Sequence, residues 1–270
     1  MSRFFDPHIH MYSRTTDDYE KMATAGIEVI VQPSFWLGSP RTTVGTFVDY
    51  WEHMITFETK RAKDFGIEHF TCISVNPKES TDRPLAEDAL NAMIKNDYFK
   101  RDRVVALGEI GYNLINELEE EIFRKQLEFA QKENLLVMIH LPHQNKPDGL
   151  KKMKKIFDQG NYNIKKILID HNTEETIKMT LDMGVWAGLS VYPVSKLSPQ
   201  RVIGIVKEYG SEKIMVNSAA DWGVSDPLSV PKTASEMRKE GCKTFDIENV
   251  TFNNAFEYYK QSEKFSWRPL

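Results

Sequence analysis

Short apolar runs rich in β-branched residues recur along the chain, separated by longer segments whose apolar positions follow a helical period. Eight such runs can be marked, at Arg3–His10, Ile27–Gln32, Ile67–Val75, Arg103–Glu109, Leu135–His140, Lys165–His171, Val185–Ser190 and Lys213–Asn217. This alternation predicts parallel strands joined by crossover helices, because a parallel neighbour is reached only by a connection that returns the chain to the same end of the sheet. In Glu119–Asn134, Ile122, Leu127, Phe129 and Ala130 fall on one inward face. Gly26, Gly66, Gly184 and Gly210 each stand just before a run, where a helix ending in a left-handed residue favours glycine.

Eight repeats within 270 residues fit an α/β fold of the (β/α)8 TIM-barrel kind, with a single domain over 1–270. An open doubly wound sheet is the alternative if one run is not a strand. The 41% hydrophobic and 27% charged content suits a chain able to bury one sizeable core, and no linker or low-complexity tract divides it.

Charge and cysteines narrow the chemistry. A net charge of -4 gives no global attraction for a polyanion, so nucleic acid has no support from charge. The basic stretch Lys151, Lys152, Lys154 and Lys155 reads as a solvated helix face. No G-x-G-x-x-G loop or P-loop follows a strand, which removes motif support for dinucleotides and nucleoside triphosphates. Cys72 and Cys242 are too few for a disulfide framework or thiolate metal site, and Cys72 reads as a buried strand residue. MSRFFDPHIH lacks the blocks of a secretory signal and no stretch matches a membrane span, so a cytoplasmic location is expected. Nothing in the pattern assigns an oligomeric state.

A parallel barrel gathers the C-terminal ends of its strands on one rim. His8 and His10 end the first run, Glu109 the fourth, His140 the fifth and His171 the sixth, while Asp221 follows the eighth. The i, i+2 spacing directs His8 and His10 to one side and turns Ile9 away into packing. Each residue alone has a plainer reading: a core histidine satisfied by a carbonyl, a carboxylate in a buried ion pair for Glu109, or a turn cap for Asp221. Their convergence favours a metal site.

FFDPHIH, GEIGYN with the downstream QLEFAQKENLLVMIH, the DH at 170–171, the late Asp of SAADWG and NNAFEYY together resemble the TatD-related metal-dependent hydrolases of the amidohydrolase superfamily, over nearly the full length. The resemblance implies that His8, His10 and Asp221 hold one ion, that His140 and His171 hold a second, and that Glu109 bridges them. Two departures stand out: SVNP at 74–77 where the TatD nucleases carry G-x-H-P, and SAADWG at 218–223 where they carry E-T-D-x-P. The ligands survive these changes, but the case for nucleic acid as substrate weakens.

Six donor side chains exceed the needs of one catalytic ion with an open position, so two divalent ions are expected, zinc or manganese first, with iron also compatible. The expected chemistry is hydrolysis of a phosphodiester or a small-molecule ester or amide, with Asp221 and Glu109 as catalytic carboxylates. A TatD-like deoxyribonuclease is the narrower alternative, and a non-catalytic metal-binding scaffold the alternative of another class. Tyr112, Asn113, His143 and Trp222 are the expected substrate contacts, with Trp36, Asn76, Asn172 and Tyr192 near the same rim.

Overall fold

The computed structural model describes residues 3–269. Eight parallel strands run in sequence order: β1 Phe4–Asp6, β2 Ile27–Pro33, β3 Glu68–Ile73, β4 Val104–Gly111, β5 Leu136–His140, β6 Ile167–Asp170, β7 Trp186–Ser190 and β8 Ile214–Asn217. Helices alternate with them and form the outer layer, so the expected TIM barrel is the fold observed. The four glycines before the strands all take positive φ, as in Gly26 at +89°.

Burial follows the two-residue period of a strand. Leu136 and Met138 of β5 join an interior cluster with Phe5, Val29, Val31, Phe70, Leu168 and Met215, whereas Val137 and Ile139 pack outward against the helices. The same parity carries His140 inward at the end of β5. Cys72 lies in the interior cluster, fully buried and unpaired.

β4 breaks the alternation where it matters. Leu107 and Ile110 both pack in the outer, helix-facing cluster, although they are three positions apart. The β4–β5 register shifts between Gly108 and Ile110, leaving Glu109 as the extra residue. A bulge of this kind re-aims a side chain, and here it turns Glu109 into the barrel. Gly108 permits it: a Cβ there would stand 2.6 Å from Met138 Cβ.

β1 is shorter than the sequence pattern suggests, ending at Asp6 rather than His10. Pro7 has no amide hydrogen to continue the ladder, and Asp6 Oδ1 accepts instead from the amides of His8 and Ser218, each at 3.2 Å. Past that point the β1–β8 seam is closed by two main-chain bonds, Ala219 N–H to His8 O and His10 N–H to Ala220 O, both 2.8 Å. Ile9, between the histidines, is fully buried away from them.

The C-terminal segment completes the core. Tyr259 and Phe265 stack on Phe5 at 5.7 and 6.0 Å, and the Tyr259 hydroxyl donates to Pro7 O at 3.0 Å. Phe5 is thus the contact between the barrel interior and the last helix. Phe5→Ala is expected to cost about 3–5 kcal/mol, read as a lower denaturation midpoint with unchanged slope in urea; a loss under 1 kcal/mol would show that this contact is not part of the cooperative core.

Candidate metal centre

Glu109 is the centre around which four imidazoles collect. Its Oε1 lies 3.0 Å from His140 Nδ1, 3.2 Å from His171 Nε2 and 3.6 Å from His8 Nε2, and its Oε2 lies 4.0 Å from His10 Nε2. Asn76 Nδ2 approaches Oε2 at 3.4 Å. Glu109, His8, His10 and His171 are almost wholly shielded from solvent, and His140 is the most open of the five. Three groups of donor atoms, each mutually within 4.8 Å, emerge: His8, His10 and Glu109; Glu109, His140 and His171; and His8, Asp170 and His171.

Three of the four imidazoles are held in the form that suits a ligand, while at His8 burial is outweighed by Glu109 and Asp170, which push it up. Burial pushes His10, His171 and His140 below the usual imidazole range, reinforced at His10 by His8 and at His171 by Lys196. Neutral imidazole is the form that donates a lone pair. Burial alone would push Glu109 up, but His8 and His140 overrule it and hold its carboxyl well below the normal range. His8 Nε2 and His10 Nε2 face each other at 3.0 Å, where a single proton serves at most one of them as donor. Four nitrogens and an ionised carboxylate, dry and mutually facing, fit a borderline divalent cation.

A second layer orients these groups. Asp170, fully buried at the end of β6, accepts from His8 Nδ1 in a short contact, from Asn217 Nδ2 at 2.9 Å and from the His171 amide at 2.6 Å. Fixing Nδ1 leaves His8 Nε2 directed at Glu109. His171 sits at φ +63°, a strained left-handed setting for a non-glycine residue, with its Nδ1 bonded to Ser190 Oγ at 2.6 Å. Gly188 makes this possible, since a Cβ there would fall 2.1 Å from Asp170 Oδ1.

Other expected residues land elsewhere. Asp221 stands outside the three donor groups, its Oδ1 accepting from the Tyr192 hydroxyl at 2.8 Å and the Gly223 amide at 2.7 Å. Asp221 follows directly on the seam made by Ser218–Ala220, where Ala219 takes φ +43°. Tyr112 is not a rim residue: it is fully buried, its ring edge-on to Phe123 and its hydroxyl donating to Glu120 at 3.0 Å. It packs in the outer, helix-facing cluster with Ile122 and Phe123 of the helix that follows β4. The Asn113 amide donates to Glu119 at 3.0 Å, and His143 is exposed on the loop after β5. Asn172 is spent on its own loop, donating to Ile169 O at 2.8 Å.

Trp222 remains at the mouth, 42% exposed, with Phe35, Trp36 and Tyr12 at 5.2, 5.3 and 5.7 Å between ring centres. Two groups beside the cluster had no sequence assignment. Asp170 is one, foreshadowed only by its adjacency to His171; the other is Lys196, whose Nζ lies 3.2 Å from His171 Nδ1.

The profile of the TatD related DNase family matches residues 5–260. The chain belongs to the TatD family. An uncharacterized metal-dependent hydrolase of Methanocaldococcus jannaschii is 29% identical over 258 residues, covering 94% of this chain and 99% of that protein. The crystal structure of a TatD-like protein from Archaeoglobus fulgidus superposes with a TM-score of 0.79 at 25% identity, covering 95% of this chain and all of the other. A phosphotriesterase homology protein from Escherichia coli shares the fold, at TM-score 0.68 and 11% identity, over 95% of this chain and 98% of that one. As a TatD-family member the protein is a metal-dependent hydrolase, which sets the non-catalytic scaffold aside. No helix among the described residues is long and apolar enough to cross a membrane.

Gly188→Ala tests the second layer. The added methyl must displace Asp170, and we expect metal affinity to fall about 10–100-fold, as when an outer-shell partner is lost. Competition with a chromophoric chelator measures it; unchanged affinity in a folded variant would mean that Asp170 does not orient His8.

Proposed function

We propose that this TatD-family chain, as one catalytic domain, hydrolyses a phosphodiester or a small-molecule ester or amide with two divalent ions, zinc or manganese. The observation that carries the reading is Glu109 at the centre of four imidazoles, with one oxygen toward His8, His140 and His171 and the other toward His10. In this reading His8 and His10 hold one ion, His140 and His171 the other, and Glu109 is shared. Ions bound there would acidify water and polarise the scissile group.

The remaining work falls to the protein's own groups. His140 is the most open ligand, and in this reading Trp222, His143 and Asn113 contact the bound substrate. Asp221, partly exposed and held by Tyr192 at 2.8 Å, is assigned proton transfer rather than ligation in the arrangement present. Asn76, where the nucleases carry the histidine of G-x-H-P, donates to Glu109 Oε2 at 3.4 Å. That substitution favours a small substrate over DNA.

We expect metal-dependent turnover of an aryl phosphodiester or ester that chelation abolishes, that zinc or manganese restores, and that folded Glu109→Ala lacks. Cleavage of single-stranded DNA with no small-substrate turnover would shift the assignment to a nuclease. Asp221→Asn is expected to keep its metal and lose about 10²–10⁴-fold in kcat. Loss of metal from that variant, measured by elemental analysis, would instead make Asp221 a ligand.

A further inference from the structure

A run of aromatic contacts leads from the metal centre to the surface. The His10 imidazole stacks on the Phe35 ring, with centres 4.0 Å apart and planes 17° from parallel. Phe35, itself buried, meets Trp222 at 5.2 Å, and Trp36 and Tyr12 stand steeply inclined to the same indole at 5.3 and 5.7 Å. These rings come from the segments after β1, β2 and β8, which the barrel seam makes neighbours.

The wall is fixed at its backbone as well as by its rings. The Phe35 amide donates to the Tyr50 hydroxyl at 3.2 Å, and the Tyr12 hydroxyl donates to Trp36 O at 2.9 Å. Arg41 lies over the Phe47 and Tyr50 rings and donates from Nε to Glu79, tying the β2 loop to the β3 loop. Around Trp222, Arg14 Nη1 donates to Asp221 O at 2.7 Å and the Gly223 amide to Asp221 Oδ1 at 2.7 Å. A surface held in this way has little freedom left to lose on binding.

Of the four aromatic side chains, only Trp222 is open, at 42% exposure. Tyr12 is half-buried with its hydroxyl spent on Trp36, and the Trp36 ring is covered by Lys78 Nζ at 4.5 Å. An exposed indole on a rigid mount, joined through Phe35 to a metal ligand, is apolar surface that part of a substrate would cover. Proteins that bind single strands offer several such rings in succession, one for each base. Here one ring is offered.

We propose that Trp222 is the platform for a single flat conjugated ring of the substrate, so that the site prefers an aryl phosphodiester, ester or amide to its alkyl counterpart. This rests on the reading of the site as a small-molecule hydrolase and narrows its substrate class. With the scissile group at the metal centre, the ring lies along the wall and excludes water from that side.

Phenylphosphonate and methylphosphonate, which share an anion and differ in carrying a ring or a methyl group, are titrated into zinc-loaded protein by calorimetry and tryptophan fluorescence. Phenylphosphonate should bind about tenfold or more tighter and change the fluorescence. Trp222→Ala should abolish that change and close the gap to within about threefold, while methylphosphonate affinity moves less than about twofold and zinc content holds. Trp222→Phe should restore part of the gap.

Equal affinity for the two phosphonates in the wild type, or no detectable binding of phenylphosphonate, would overturn the proposal. So would an equal loss of both in Trp222→Ala, since the indole would then serve the fold alone. A single-stranded oligothymidylate that binds through Trp222 more tightly than phenylphosphonate would also overturn it, the occupant being a polymer. Selectivity for the ring in a protein that turns over no ester, amide or phosphodiester would keep the platform and remove the hydrolase reading alone.

Discussion

A fully enclosed carboxylate organises this molecule. Glu109 is cut off from water, and an ionised group in that position is tolerated only where opposite charge or hydrogen-bond donors surround it. Four imidazoles and the Asn76 amide supply the surroundings, each from a different loop or strand end except the His8 and His10 pair. The barrel is what allows this. Parallel strands end on one rim, so residues more than a hundred positions apart in the chain meet around one side chain.

The rim itself is held by a set of smaller compromises. Proline ends β1 early, Asp6 takes over the two amides that would otherwise lose partners, and the seam with β8 continues through the backbone of His8, His10, Ala219 and Ala220. The bonds that close the barrel are therefore made by the ligand segment. Across the barrel, Asp170 ties β6 to β1 through His8 and to β8 through Asn217, in space left by the missing side chain of Gly188. Barrel closure and ligand orientation share the same atoms, so strain at His171 is offset by contacts the fold already needs.

The periodic part of this was legible in the sequence. Alternating strand and helix patterns yield the fold, and a ligand-type residue at the end of a strand is visible once the strand is. His140 illustrates it, since the parity of Leu136 and Met138 extends to it directly. Glu109 was found for the same reason, but its orientation was not, because strict alternation from Leu107 sends it outward and only the irregularity in β4 brings it in. Tyr112 and Asp221 were harder. Both lie one or two residues beyond regular structure, where the direction of a side chain is set by a neighbouring helix or by a seam that no local pattern encodes. Asp170 entered only as the partner of His171 in the DH at 170–171, with no role of its own, and Lys196 is a lysine in a loop with no pattern; each acquires its place from what the barrel sets opposite it.

Net charge shows the same limit from the other direction. Composition describes an anionic protein and argues against a polyanionic partner, which is sound for the long-range field. Binding at a recessed site depends instead on the few charges within a Debye length that the low-dielectric walls do not screen. At the ligand cluster Lys196 stands against His171 within the fields of Asp170, Glu109 and Asp221, so the local balance is set by neighbours that composition does not count.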